Sequence, residues 1–172
     1  MSTIKVKMLT TWLFLQIFIS LSVEAAHGTQ DIVLLSDTSF NSHFFGATLI
    51  SEKMQLFQKI KPFGFPDWDP SEILSDPLVS VSSYEVIKDV DDNFMIAWMG
   101  ENTSLEIYSL YIRYYVPSLK TWSPIIMVSS KEHLVGSYSI SINTQEAEII
   151  WNSYDSSFNV EDHSATFSLL DI

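Results

Sequence analysis

The chain has 172 residues, 47% hydrophobic and 13% aromatic, enough for one packed domain and too apolar for a compositionally disordered segment. Nine Lys and Arg stand against 21 Asp and Glu, a formal charge of -12, so nucleic acid and anionic membrane surfaces are repelled rather than bound. No cysteine is present, which excludes disulfides, thiolate metal sites and a lipid-modified N-terminal Cys.

In chain order, residues 1–25 read as a secretory signal peptide. Lys5 and Lys7 open it, MLTTWLFLQIFISLSV forms the apolar middle, and Val23-Glu24-Ala25 offers small residues for a cut after Ala25. The apolar run falls short of the ~20 residues that span a bilayer, so no stable membrane span is expected after cleavage. Export without a single cysteine points to a secreted or periplasmic protein of bacterial type.

Residues 26–65 read as a degenerate first repeat and linker. Phe44 stands 24 residues before Trp68, as Trp98 stands 24 residues before Trp122. Within 51–68, Met54, Leu56, Phe57 and Ile60 fit one face of a short helix or a strand followed by a linking loop. Lys53, Lys59 and Lys61 make this the one basic patch after the signal peptide.

Two further copies follow, at 66–120 and 121–172. Trp68 and Trp122 are 54 residues apart, and Trp98 and Trp151 are 53 apart. Trp68-Asp69-Pro70 matches Trp122-Ser123-Pro124, Ile73-Leu74-Ser75 matches Met127-Val128-Ser129, and FMIAW at 94–98 matches AEIIW at 147–151. Each copy alternates like β-structure: Tyr138, Ile140 and Ile142 share one face, and Ala147, Ile149 and Trp151 share a face of the next strand. The aromatic stretches LEIYSLYIRYY and SATFSLL supply a third strand, and IIMV after Pro124 a fourth.

This cycle of Trp-x-Pro, strand, polar turn, Trp-ended strand and further strand resembles the sialidase-like or BNR-like repeats of bacterial secreted proteins. The resemblance spans about residues 66 to 172. It implies an all-β fold of antiparallel propeller-like blades, two to three copies in an incomplete ring; a β-sandwich is the alternative. The Asp-box of that family is absent: Ser153-Tyr154-Asp155 comes nearest, with Ser157 in place of Gly.

Residue chemistry argues against catalysis. Sialidases clamp a carboxylate with several arginines, and Arg113 is the sole arginine. Ser137 near His133 leads into an alternating strand and lies in no nucleophile-elbow pattern. Asp67, Asp69 and Glu72 could act as paired carboxylates only if folding brought them together. His27, His43, His133 and His163 are isolated, without zinc spacing; a cut after Ala26 would instead expose His27 as an N-terminal copper ligand. Asn102-Thr103-Ser104 is a glycosylation sequon. Asp89, Asp91 and Asn93 hold positions 1, 3 and 5 of a calcium loop, but Phe94 and Gly100 stand where the loop needs Gly and Glu.

The functional expectation is therefore a non-catalytic, secreted interaction module without cofactors. Its partner is a protein or a glycan, with Tyr108, Tyr111, Tyr114, Tyr115 and Arg113 as candidate contacts. Open strand edges offer a route to self-association. The alternatives are a fragment or subunit of a glycan-active enzyme, and a truncated, non-functional copy of a longer propeller protein.

Overall fold

The computed structural model describes residues 32–102, 107–117, 120–129, 134–143 and 145–169. They form twelve β-strands, with no helix among the described residues. Three antiparallel sheets result, none of them closed. The first holds β1 (Val33–Ser36), β2 (Ser42–Ile50), β3 (Lys53–Lys61) and β4 (Glu72–Ile73) in sequential order. The second holds β5 (Ser80–Lys88), β6 (Phe94–Asn102) and β7 (Ile107–Val116), with the short β8 (Thr121–Trp122) and β9 (Ile126–Met127) both pairing β7. The third holds β10 (Leu134–Ile142), β11 (Glu146–Tyr154) and β12 (Val160–Ser168). Lys53–Lys61 is a strand throughout, so Met54, Leu56, Phe57 and Ile60 lie along β3 rather than on a helix.

The second sheet is covered on both faces. Phe94, Ile96, Trp98 and Tyr111 pack towards Phe45, Leu56 and Leu74 of the first sheet and its following loop. Met95, Ala97, Leu110, Ile112 and Tyr114 pack towards Val135, Ala147, Ile149 and Trp151 of the third. This explains the unbroken run FMIAWM in β6: a strand with two buried faces has no solvent side to mark with polar residues. Burying each of the larger apolar side chains, such as Phe94, Met95 or Ile96, stabilises the fold by about 1.5–3 kcal/mol.

The 54-residue repeat reappears as hydrogen bonds. Leu56 N–H donates to Ser75 Oγ at 3.0 Å, and Leu110 N–H donates to Ser129 Oγ at 2.8 Å. Leu74 N–H donates to Leu56 O at 2.8 Å, and Val128 N–H to Leu110 O at 2.9 Å. Asp69 N–H donates to Ile60 O at 2.7 Å, and Ser123 N–H to Tyr114 O at 2.8 Å. Strand register places a different residue in the Trp98 slot, however. Trp98 stands opposite Tyr111, whereas Gly46, not Phe44, stands opposite Phe57. A Cβ at Gly46 would sit 3.1 Å from the Phe57 ring, so the neighbouring strand supplies the aromatic bulk there.

Candidate functional site

The metal candidate Asp89, Asp91 and Asn93 lies in the polar turn between β5 and β6. Asp89 Oδ1 accepts the N–H groups of Asp91 at 2.8 Å and Asn93 at 2.9 Å, and Oδ2 accepts Asn93 Nδ2 at 2.6 Å. These donors close an Asx turn from β5 to β6. The same arrangement binds Asn41 to Asp37 and Asn159 to Asp155. The fourth residue of each Asp-x-x-x-Asn turn is left-handed: Phe40 at φ 63, Asp92 at φ 64 and Phe158 at φ 61. The signal stands in the sequence as DTSFN, DVDDN and DSSFN, a shared Asp-x-x-x-Asn spacing that comparison of the second stretch with a calcium loop does not bring out. Among the described residues no cluster of three His, Cys, Asp or Glu could hold a metal ion. Asp92 instead joins two sheets: Oδ2 accepts the Thr38 N–H at 2.7 Å and its hydroxyl, and Oδ1 accepts Lys88 Nζ at 2.6 Å. Burial pushes the Asp92 carboxyl up, but the bonds from Lys88 and Thr38 outweigh it and hold the group below its usual range.

The tyrosine strand is largely spent on packing. Tyr111 is buried and stacked on Trp98 at 5.6 Å, and Tyr114 is buried in the opposite cluster. Tyr115 is half-buried against Phe94 and Trp122. Arg113 donates to Ser123 O and Leu74 O and lies over the Trp122 ring. Tyr108 is the exposed member of the set.

Buried polar groups form a relay between the first two sheets. Trp122 Nε1 donates to Gln58 Oε1 at 3.1 Å, which turns Gln58 Nε2 towards His43 Nδ1 at 2.9 Å. His43 is therefore the Nε2–H tautomer, donating to Asp37 Oδ2 at 3.1 Å. The relay Trp122–Gln58–His43–Asp37 contains no hydroxyl or thiol, so it is not a Ser–His or Cys–His pair. In the third sheet Ser153 Oγ meets His163 Nε2 at 2.8 Å, and Glu161 approaches that same nitrogen at 3.8 Å. A triad needs the acid on the opposite nitrogen. Ser137 pairs with Asn152, while His133 and His27 lie outside the described residues, as do Thr103 and Ser104 of the sequon.

What stands out to solvent is the loop between β3 and β4. Phe63, Phe65 and Trp68 are 68%, 66% and 42% exposed, and Phe40 is 63% exposed with its ring 5.6 Å from Phe63. The loop is pinned at three points. Phe63 N–H donates to Asn41 Oδ1 at 2.9 Å, Phe65 N–H to Pro62 O at 3.2 Å, and Asp69 N–H to Ile60 O. Gly64, at φ 81, makes the intervening turn, which a side chain would strain. Pro62, Phe65, Pro66, Asp67, Trp68 and Asp69 line a groove of about 240 Å³. Asp67 and Asp69, weighed above as paired carboxylates, thus border aromatic rings, with Glu72 on β4 beyond them. Comparison of the chain with protein-family models, with curated proteins and with solved structures finds no match.

Proposed function

We propose that the chain is a non-catalytic interaction module, exported on the strength of its 1–25 leader pattern and built from propeller-like repeats. The aromatic loop of residues 62–69 is its ligand surface. The observation that carries this reading is the exposure of Phe63, Phe65 and Trp68 on a loop held by three hydrogen bonds. Exposed aromatic clusters are costly in water unless a ligand covers them, and a pinned loop loses little entropy on binding. Flat rings beside Asp67 and Asp69 suit a neutral glycan: the rings take the C–H faces of the sugar, and the carboxylates accept its hydroxyls. The charge of -12 disfavours an anionic one. A glycan array probed with the wild type and with Trp68→Ala tests this. Binding to neutral glycans lost in Trp68→Ala, with melting unchanged, supports the reading. Binding that ignores Trp68, Phe63 and Phe65 overturns it, and a signal confined to protein ligands moves the partner to the protein class.

A further inference from the structure

The turn from β1 to β2 carries an aromatic ring where backbone geometry disfavours one. Phe40 stands at φ 63, the left-handed region that bulky residues enter at a cost, and its ring lies largely in solvent. In the matching turn of the second sheet the same place holds Asp92, whose carboxylate bonds Thr38 and Lys88. A strained position is kept where its side chain is used. The one ring beside Phe40 among the described residues is that of Phe63, at 5.6 Å and tilted by 47°. Strain alone does not mark a site. Phe158, at φ 61 in the turn from β11 to β12, is also largely exposed, with no ring against it among the described residues. The pairing with Phe63 is what sets Phe40 apart.

The pair lies outside the groove of the 62–69 loop. Pro62, Phe65, Pro66, Asp67, Trp68 and Asp69 line that groove, and the left-handed turn at Gly64 separates Phe63 from it. At about 240 Å³ the groove is smaller than the roughly 300–1,000 Å³ of sites that enclose a small ligand by themselves. A ligand seated there projects from it, and Phe63, on the other side of Gly64, offers the next exposed ring along the loop. The two backbones that carry the rings are joined in advance. Phe63 N–H donates to Asn41 Oδ1, and Asn41 donates its Nδ2 and its backbone N–H to the two Asp37 carboxylate oxygens, each at 2.8 Å. His43 donates to the same carboxylate and ties it to Gln58 and Trp122 in the core. Little freedom is then lost when a ligand covers the rings.

We infer that Phe40 and Phe63 form a second ring platform beside the groove, and that the ligand is a neutral oligosaccharide long enough to occupy both. One end of the sugar chain lies in the groove against Trp68, with hydroxyls on Asp67 and Asp69, and a later sugar lays its C–H face on the Phe40–Phe63 platform. The inference rests on the reading of the 62–69 loop as a glycan surface, and adds to it a residue from a different turn.

The test is isothermal titration calorimetry of the full chain with neutral disaccharides and hexasaccharides cut from cellulose, mannan, chitin and starch. In a series that binds, the wild type should hold the hexasaccharide at least about tenfold more tightly than the disaccharide. Phe40→Ala and Phe63→Ala should each weaken hexasaccharide binding by at least about fivefold and leave the disaccharide within about twofold. Trp68→Ala should weaken both lengths. Phe158→Ala relieves the same backbone strain away from the loop and should change neither. Phe63→Ala decides the matter even if Phe40→Ala does not fold. Equal affinity for the two lengths, a hexasaccharide affinity untouched by both substitutions, or an equal loss at both lengths would overturn the inference. Where Trp68→Ala still removes binding, those outcomes sink this inference alone. No saturable binding in any series up to about 10 mM sinks the glycan reading with it.

Discussion

Trp68 and Trp122 hold the same place in two sheets and meet opposite fates. The residue after each donates its N–H to a carbonyl nine residues earlier, with bonds of 2.7 and 2.8 Å. Yet Trp122 is 6% exposed, ringed by Phe45, Tyr115 and Arg113 and bonded to Gln58, while Trp68 is 42% exposed beside Phe44. The difference comes from neighbours. The second sheet lies between two others, so its Trp has a sheet to pack against; the first sheet has one neighbour, and its Trp faces out. A repeat thus conserves backbone bonds and frees side chains for different work.

The largest test of this contrast is Trp122→Ala, which should cost about 3–5 kcal/mol in urea unfolding, through the cavity and the orphaned Gln58. Trp68→Ala should cost at most about 1 kcal/mol; a similar loss at both positions would break the comparison. Ser75→Ala and Ser129→Ala sharpen it from the other side. Each leaves a buried backbone N–H without its acceptor, so each should cost about 1–3 kcal/mol, with Ser75→Ala the costlier because it also removes the bond to Gln55 Oε1. A negligible cost at either position would mean that its fourth strand is not held through the serine.

Acid should act on the turns that join the first two sheets. Burial raises the Asp37 carboxyl, but its bonds from Asn41 and His43 outweigh that and hold it below the usual value, as Lys88 and Thr38 do for Asp92. A depressed folded-state pKa stabilises above the unfolded value near 3.8 and is lost as pH falls through the lower folded one. Stability should therefore decline in that acid window, and Asp37→Asn or Asp92→Asn should flatten the decline. An unchanged profile in both would remove these turns from the account.

The smallest effect is at the left-handed phenylalanines. Phe158→Gly should stabilise by about 0.5 kcal/mol, relief of about 1–2 kcal/mol of strain less the entropy glycine adds to the unfolded chain. Phe40→Gly should gain less, because it gives up the ring contact with Phe63. Equal gains would show that this contact contributes nothing.

Much of the strand pattern could be read from residues alone. The Trp spacing and the Leu74-Ser75 and Val128-Ser129 matches point to hydrogen bonds that the fold does contain, because a repeated backbone geometry needs the same acceptor at the same distance along the chain. Tyr111 and Tyr114 show where reading fails. Alternation tells which residues share a face, and Tyr111 and Tyr115 do share one, but it cannot tell that both faces of β7 are covered. The groove at 62–69 was hidden for a related reason: Pro62, Gly64 and Pro66 announce a loop, whereas exposure of its rings depends on which sheet stands next to it. Phe44 misled because a two-residue shift in the first hairpin moves the Trp98 slot to Gly46.

Amide hydrogen exchange, read residue by residue on the free chain, tests the central claim that the first two sheets seat the same strand unit, whereas no strand lies beside β12 among the described residues. The N–H groups of Leu56, Leu110 and Tyr114 should be strongly protected, and those of Asp162 and Thr166, which turn away from β11, should exchange at least about a hundredfold faster. Protection of Asp162 and Thr166 equal to that of Leu110 and Tyr114 would contradict it.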